Sequence, residues 1–487
     1  MPETEVRDVE KILRKSPARQ CIHHSRKIVN AIQLIERTVN SILVGCLLKE
    51  NIPRNEIRLQ SKAKVIIVGS HLLNAALLDS DVDLLIVIPA CVHTFHVISD
   101  LPPALSKVPD FDDVQLHRMH INLIQLNYGD IKIDITVARY PDDLIPDNIY
   151  EALSDDSILQ RIDGQSREIL ISLNTSYAIY KATNSKLYSD TLRAIKYWAK
   201  RRKIYFNIFG FVSGVGLAIL LSKIYISSNS STIEELMSEF FNYYASYDWS
   251  RPVVMFDSNL EIDDSNFDDN PKMTKLFILA PIKEYRNVCK SVTNSHAYIF
   301  QLELKRAKMI CDKVNSNRLL WESLFAPYEF FNSYKHFVLL VGCFPSYYFG
   351  RVKGEIKILA ERLEDVVGLG YTHLSAFDYD ILETSKNFVD KPDDSFTRVL
   401  WSIGLSLNDE ESNIEDITGV ISSKLKDFVA DIRFQFRFPI TSSPTVYKNT
   451  MTAFLIARRS VPKHVSFENI DYKFSKYISN ESRLQNL

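Results

Sequence analysis

The chain has 487 residues, of which 46% are hydrophobic and 24% charged, with a formal net charge of −2. That length suggests two or three domains with sizeable cores. The near-neutral balance excludes a globally basic nucleic-acid-binding surface, so any charge that meets a polyanion must be local.

In chain order, the spacing predicts a helix from about Val6 to Asn51, with Ile28, Ile32, Leu34, Ile35, Val39 and Leu43 at helical intervals. Cys21-Ile22-His23-His24 within it has no second half at metal-ligand spacing and reads as a thiol beside exposed histidines. Val65-Ile66-Ile67-Val68 is a short buried strand stopped by Gly69-Ser70, and Asp81 to Ile88 is a second strand. His120 to Leu126 and Ile131 to Val137 form a hairpin-like pair around Asn127-Tyr128-Gly129-Asp130. These segments make an α+β unit ending near Pro146.

From about Ile149 to Ile226 the pattern is helical, with Tyr188-Ser189-Asp190 as the expected N-cap of a helix from Thr191 to Lys203. The longest apolar run, Ile208 to Leu221, is shorter than the ~20 residues a bilayer span needs, so no membrane association is expected. Thr232-Ile233-Glu234-Glu235 opens a further helix, and residues 257 to 272 read as an exposed loop. Strand character returns at His336 to Gly342, followed by a helix from Tyr348 to Val366 and a strand from Leu400 to Leu407. A helix from Asn413 to Ala430 and a strand from Ile432 to Phe438 complete a β-α-β-α-β order, which suggests a ferredoxin-like unit. The last twenty residues read as a polar tail. Six cysteines without a CxxC pair, behind an N-terminus that is charged rather than leader-like, read as reduced thiols in the cytosol or nucleus.

Three aspartates carry the chemistry. In a strand, residues two apart share a face, so Asp81 and Asp83 stand together while Val82 turns to the core. Ile131, Ile133, Ile135 and Val137 alternate with Lys132, Asp134 and Thr136, which centres Asp134 on a polar face. Neighbouring strands would bring the three carboxylates together. Crowded carboxylates repel, and hard divalent cations relieve the repulsion while leaving room for phosphates. Asp-x-Asp alone says little, since Asp110-Phe111-Asp112 and Asp378-Tyr379-Asp380 also occur. What distinguishes Asp81/Asp83 is the preceding Gly69-Ser70, where glycine permits close backbone approach and serine can donate to a phosphate. No GxxxxGK or GxGxxG follows a strand. Arg193, Lys196, Lys200 and Lys203 fall on one helical face, ordinarily a solvated stripe, with Tyr205 and Asn207 following as a stacking ring and a base-reading amide.

These segments together resemble the template-independent nuclear poly(A) polymerases of eukaryotes, within the DNA polymerase β-like nucleotidyltransferase superfamily, over nearly the whole chain. Val68-Gly69-Ser70 with Asp81-Val82-Asp83 is similar to the nucleotidyltransferase signature, and Ile131-Lys132-Ile133-Asp134-Ile135 to the third-aspartate strand. Leu192 to Arg202 and Ile204 to Phe211 match the central-domain motif, and Phe330 to Phe337 resembles the entry to an RNA-binding domain.

The resemblance implies that Asp81, Asp83 and Asp134 hold two Mg²⁺ or Mn²⁺ ions and that Gly69 and Ser70 line the nucleotide site. It also implies that Lys196 and Tyr205 meet the ATP phosphates, that Asn207 recognises adenine, and that Gly214-Val215 line the base pocket. The implied organisation is an N-terminal helix (1–25) belonging to the middle domain, a catalytic domain (26–147), a helical middle domain (148–328), a ferredoxin-like RNA-binding domain (329–470) and a polar tail (471–487). The implied activity is transfer of AMP from ATP to an RNA 3′ end by a nuclear monomer, with cleavage and polyadenylation subunits as partners.

Departures mark the chain as a compact, divergent member. Val68 replaces an aromatic, His71-Leu72-Leu73-Asn74 replace Tyr-x-Leu-Gly, and Leu77-Leu78-Asp79-Ser80 replace a Gly-bearing stretch, with Asp79 adding negative charge. A Ser/Thr- and basic-rich tail like that of larger members is not recognised. Terminal uridylyl transfer, CCA-type addition and a non-catalytic RNA-binding role stay open on sequence.

Overall fold

The computed structural model describes residues 8–16, 22–49, 62–256, 276–345, 348–375, 379–380, 396–408, 414–436 and 450–458, with short interruptions at 79, 119, 163 and 283–284. Cys21, Asp79, Asp378, the 257–272 loop and the C-terminal tail lie outside the described residues. Where one long helix was expected there are two, α1 (Val9–Arg14) and α2 (Ile22–Lys49).

The first sheet runs β1-β2-β5-β4-β3, from β1 (Lys64–Ile67), β2 (Val82–Ile88), β3 (Asp112–His117), β4 (Leu123–Tyr128) and β5 (Ile131–Arg139). Its one parallel pair is β2 with β5. Strands form within the expected 65–68, 81–88 and 131–137 segments, but Val68 and Asp81 fall just outside β1 and β2, the strand expected at 120–126 runs from Leu123 to Tyr128, and β3 is added at the edge.

Alternation fixes what covers each face. Val82, Leu84, Ile86 and Ile88 join Ile131, Ile133, Ile135 and Val137 beneath α2 and α4 (Thr94–Leu105). The stretch Ser25–Lys49 of α2 is long and apolar enough to cross a membrane. Here Ile28, Ala31, Ile35, Val39, Leu43 and Leu47, three and four residues apart, form the stripe it buries on the sheet. On the opposite face, Leu85, Val87 and Ala138 pack with Ile169, Leu170 and Leu173 of α7 (Gly164–Thr183). Two short helices, α5 (Ile149–Ala152) and α6 (Asp156–Gln160), precede α7.

A helical layer follows: α8 (Lys186–Arg201), α9 (Gly214–Ser227), α10 (Ile233–Ala245) and α11 (Asn294–Asn315). The expected cap before Thr191 is replaced by Ser185, whose side chain accepts from the Tyr188 N–H. Ser189 and Asp190 therefore lie inside α8. Thr232 and Glu235 form a complete capping box at α10, as their spacing suggests. The apolar run at 208–221 divides: Ile208 is exposed in a short turn, and residues 214–221 open the largely buried α9.

The second sheet runs β10-β6-β9-β7, from β6 (His336–Pro345), β7 (Leu369–Leu374), β9 (Phe396–Leu407) and β10 (Thr450–Ala457), with β8 (Tyr379–Asp380) on β9. All its pairs are antiparallel. Helices α13 (Phe349–Glu364) and α14 (Ile414–Gln435) cover one face. The expected strand at 432–438 is incorrect, because Ile432 is the last buried position of α14. The closing strand is β10 instead, and β7 is an addition. On the other face Phe330, at the start of α12 (Phe330–Ser333), packs with Tyr334, Phe337, Leu339 and Leu400. Gly404 admits this layer, since a Cβ there would lie 2.3 Å from the Tyr334 ring. Among the described residues, Cys46, Cys91, Cys289 and Cys311 are free thiols.

Candidate active site

Asp83 and Asp134 are register partners on the parallel strands β2 and β5. Strand alternation puts both on the face away from α2 and α4, and α7 covers only the far ends of the strands on that side. Asp81 lies just before β2 and is exposed. The three interact by charge: burial, then Asp134, then Asp81 push the Asp83 carboxyl up to about 6, against the pull of Lys196. Burial raises Asp134 as well, while a hydrogen bond from Gln125 Nε2 to Asp134 Oδ1 (2.8 Å) works in the opposite direction.

Among the described residues, no three acidic, histidine or cysteine side chains stand gathered as ligands of one ion. The register unites the backbone positions of Asp83 and Asp134. The donor set still suits a hard divalent cation, being all oxygen and carrying an electrostatic penalty that a cation would remove.

Gly69 is required where it stands. Its φ is +61°, and a Cβ would lie 2.7 Å from Asp83 Oδ2. The Val68 N–H donates to the Asp83 carbonyl (3.1 Å), so the β1 exit and the carboxylate strand are tied at this point. Gly69 and Ser70 begin the single turn α3 (Gly69–Leu72), and the Ala75 N–H returns to the Ser70 carbonyl (2.9 Å).

Lys196 belongs to the same group, donating to the Ala75 carbonyl (3.0 Å) and acting electrostatically on Asp83. The basic stripe, ordinarily a solvated face, is turned inward here: Arg193, Lys196 and Lys203 are buried. Arg193 and Lys196 meet backbone carbonyls, which can satisfy guanidinium and ammonium donors, while Lys203 Nζ lies 5.2 Å from the Phe330 ring.

Tyr205, Asn207, Gly214 and Val215 form a second group beyond the C-terminal end of α8. The Tyr205 hydroxyl sits 2.8 Å from where a Gly214 Cβ would stand, so glycine lets the ring lie on the first turn of α9. Lys200 Nζ lies 5.8 Å from the Tyr205 ring. Val215 is partly buried in the same turn. Asn207 is exposed and its Oδ1 accepts from the Ser291 hydroxyl, which turns the Nδ2 donors away from Ser291. The backbone here is held in uncommon conformations, with φ +93° at Phe206 and +80° at Gly210.

Two family models match consecutive parts of the chain: the poly(A) polymerase nucleotidyltransferase domain over residues 7–174 and the poly(A) polymerase central domain over residues 187–327. The chain belongs to the poly(A) polymerase family. Similar relatives include nuclear poly(A) polymerase 1 of Arabidopsis thaliana, 27% identical over 57% of this chain and 40% of that protein. Poly(A) polymerase pla1 of Schizosaccharomyces pombe is 27% identical over 66% of this chain and 58% of its own length. Poly(A) polymerase PAPalpha of Candida albicans is 24% identical over 80% of this chain and 73% of its own. The chain thus spans about half the length of the first two relatives. A solved structure of a cytoplasmic RNA terminal U-transferase is 17% identical, covering 65% of this chain and 96% of that one, with a TM-score of 0.47.

In this poly(A) polymerase family member, two residues that touch the predicted site residues escaped sequence reading. Gln125 was findable, because the hairpin pairing of Tyr128 with Ile131 carries Gln125 opposite Asp134. Ser291 was not, since only the folded chain brings it to Asn207 across 84 positions.

Proposed function

We propose that the protein is a polynucleotide adenylyltransferase that adds AMP from ATP to RNA 3′ ends without a template. The RNA 3′ hydroxyl gives up its proton to solvent, its oxygen bonds to the α-phosphorus, the bond from that phosphorus to the β-phosphate oxygen breaks, and pyrophosphate leaves. The observation that carries this reading is the register of Asp83 with Asp134, with Gly69 against one and Lys196 alongside. Asp81, Asp83 and Asp134 would hold two Mg²⁺ or Mn²⁺ ions, which supply activation of the hydroxyl and neutralisation of the leaving charge.

The chain's own groups do the rest. Gly69 leaves the phosphates a backbone approach, and Ser70 offers a hydroxyl. Lys196 carries the positive charge that meets the triphosphate, and Tyr205 supports it. Asn207 reads the adenine edge with the amide group that Ser291 leaves available, and Gly214 and Val215 line the base pocket. Positioning and charge complementarity supply the rate.

The proposal includes a three-part organisation, with a catalytic unit at 26–147, a helical unit at 148–328 joined by the N-terminal helix, and a ferredoxin-like RNA-binding unit at 329–470. Helix α1 supports it by packing on α8 and α10, as does the β10-β6-β9-β7 order with two helices on one face. Nuclear residence and action as a monomer with cleavage and polyadenylation subunits complete the reading. The name of the Arabidopsis relative supports the nuclear part.

Gel-resolved extension of an oligo(A) RNA primer with each NTP separately, in Mg²⁺ and in Mn²⁺, tests it. ATP is expected to give long products and Asp83→Ala none. Preferential use of UTP, stepwise addition of C and A, or primer binding without extension would each refute it.

A further inference from the structure

Three buried side chains on one face of α8 grip three consecutive carbonyls of the turn that follows Gly69-Ser70. Ser189, Arg193 and Lys196 stand at i, i+4 and i+7. The Ser189 hydroxyl donates to the Leu73 carbonyl (3.0 Å), Arg193 Nη1 to the Asn74 carbonyl, and Lys196 Nζ to the Ala75 carbonyl (3.0 Å). The Ser189 hydroxyl lies equally close to the Ser185 carbonyl one turn back (3.0 Å), so its single proton is shared between a bond within α8 and the bond to the turn.

The turn is built to present those carbonyls. Asn74 has φ +53°, and the Asn74 and Ala75 N–H groups fold back onto the His71 and Ser70 carbonyls (3.1 and 2.9 Å). Arg193 is itself fixed, since its Nη2 donates to Asp190 Oδ1, while Asp190 Oδ2 takes Lys186 Nζ (2.7 Å). A buried guanidinium held by a carboxylate on one side and aimed at one carbonyl on the other has little freedom.

We infer that Arg193, with Ser189, is a positioning residue for the nucleotide site: the pair locks the 73–75 turn to α8, and through it sets the Gly69-Ser70 turn relative to Lys196. Lys196 is the arm that can change partner. With Ser189 and Arg193 holding the turn, its ammonium can exchange the Ala75 carbonyl for an anionic triphosphate while the cleft walls stay in place. Because the contacts are made to the backbone carbonyls of residues 73–75, they do not depend on which side chains stand there. The inference rests on the proposed ATP site, and predicts that losing the lock costs nucleotide affinity selectively.

The test compares the full chain with Arg193→Lys, Arg193→Met and Ser189→Ala. A fluorescent ATP analogue is titrated without RNA, oligo(A) binding is measured by polarisation, extension kinetics give KM and kcat for ATP, and thermal melts report folding. Arg193→Lys and Arg193→Met should each weaken analogue binding and raise the KM for ATP about tenfold, the scale of one charge-assisted hydrogen bond. Primer affinity should stay within about twofold, as expected for a loss confined to the nucleotide side. Ser189→Ala should act in the same direction but less, and the double variant should be non-additive.

Nucleotide binding unchanged in all three folded variants would overturn the inference. So would nucleotide and primer affinities falling together in step with lost stability. Arg193→Lys keeps the charge beside Asp190 and carries the test if Arg193→Met does not fold. A wild-type chain that binds the analogue but extends no primer would remove the proposed function and leave the lock to be judged by the titration.

Discussion

Replacing Gly69 by alanine tests the geometry at its tightest point. The new methyl would begin 2.7 Å from Asp83 Oδ2, and ordinary contact starts near 3.4 Å, so the carboxylate must retreat by about 0.7 Å or the turn must shift as far. The φ of +61° adds about 1–2 kcal/mol of backbone cost for any side chain. A cost of that size shifts the melting of a domain-sized unit by only a few degrees, at ~2–4 °C per kcal/mol. The effect on rate should be far larger, because a displacement near 1 Å at the reacting centre costs on the order of a hundredfold. Single-turnover primer extension with saturating ATP should show kcat down by about that factor, beside a nearly intact thermal transition. Retention of half the wild-type rate or more in Gly69→Ala would refute the claim that Asp83 depends on this close approach.

Further expectations follow from buried charge and tight packing. The Asp83 carboxyl is pushed up to about 6 from the ordinary 3.8, chiefly by burial. Between those values the folded state binds more protons than the unfolded one, so stability falls as pH rises through the window. In chelator, Asp83→Asn should therefore stabilise the chain at pH 7.5, by up to about 3 kcal/mol, and the gain should vanish below pH 4 in thermal melts; a destabilised variant at pH 7.5 would contradict this. Burial lowers Lys203 from 10.5 to about 7, so here the unfolded state binds the extra proton and stability rises with pH from about 7 towards 10. Lys203→Met should melt higher than wild type at pH 6.5, with the difference shrinking by pH 9.5. Gly404→Ala would force a Cβ into the Tyr334 ring and threaten the 2.6 Å bond from Tyr334 to His373 Nδ1, at a cost of about 1–3 kcal/mol read by denaturant unfolding.

What sequence revealed, and what it hid, divides along physical lines. Strict alternation around Asp134 announced both the strand and its polar face, and the Asp81/Asp83 spacing announced its partner. Local patterns report local geometry. The β2–β5 parallel register is non-local, and only the fold shows that Asp83 rather than Asp81 is the partner of Asp134. The start of α8 was misplaced because Ser189 and Asp190 are good caps by type, yet tertiary contacts with the 73–75 turn and Arg193 use them inside the helix. The strand at 432–438 failed for a related reason: alternating Ile432, Phe434 and Phe436 mimics a strand, but Ile432 and Phe436 are four apart and buried while Phe434 is 88% exposed. A basic stripe usually faces water, and here the Asn74 and Ala75 carbonyls take the donors of the buried Arg193 and Lys196.

We propose that Asp83 and Asp134 act together on divalent cations beneath a nucleotide. Mn²⁺ binding by electron paramagnetic resonance, with and without a non-hydrolysable ATP analogue, on wild type and Asp134→Ala, tests this. Two ions should bind per wild-type chain with the analogue, and binding should be lost in the variant while it still melts cooperatively. Undiminished Mn²⁺ binding in Asp134→Ala would contradict it.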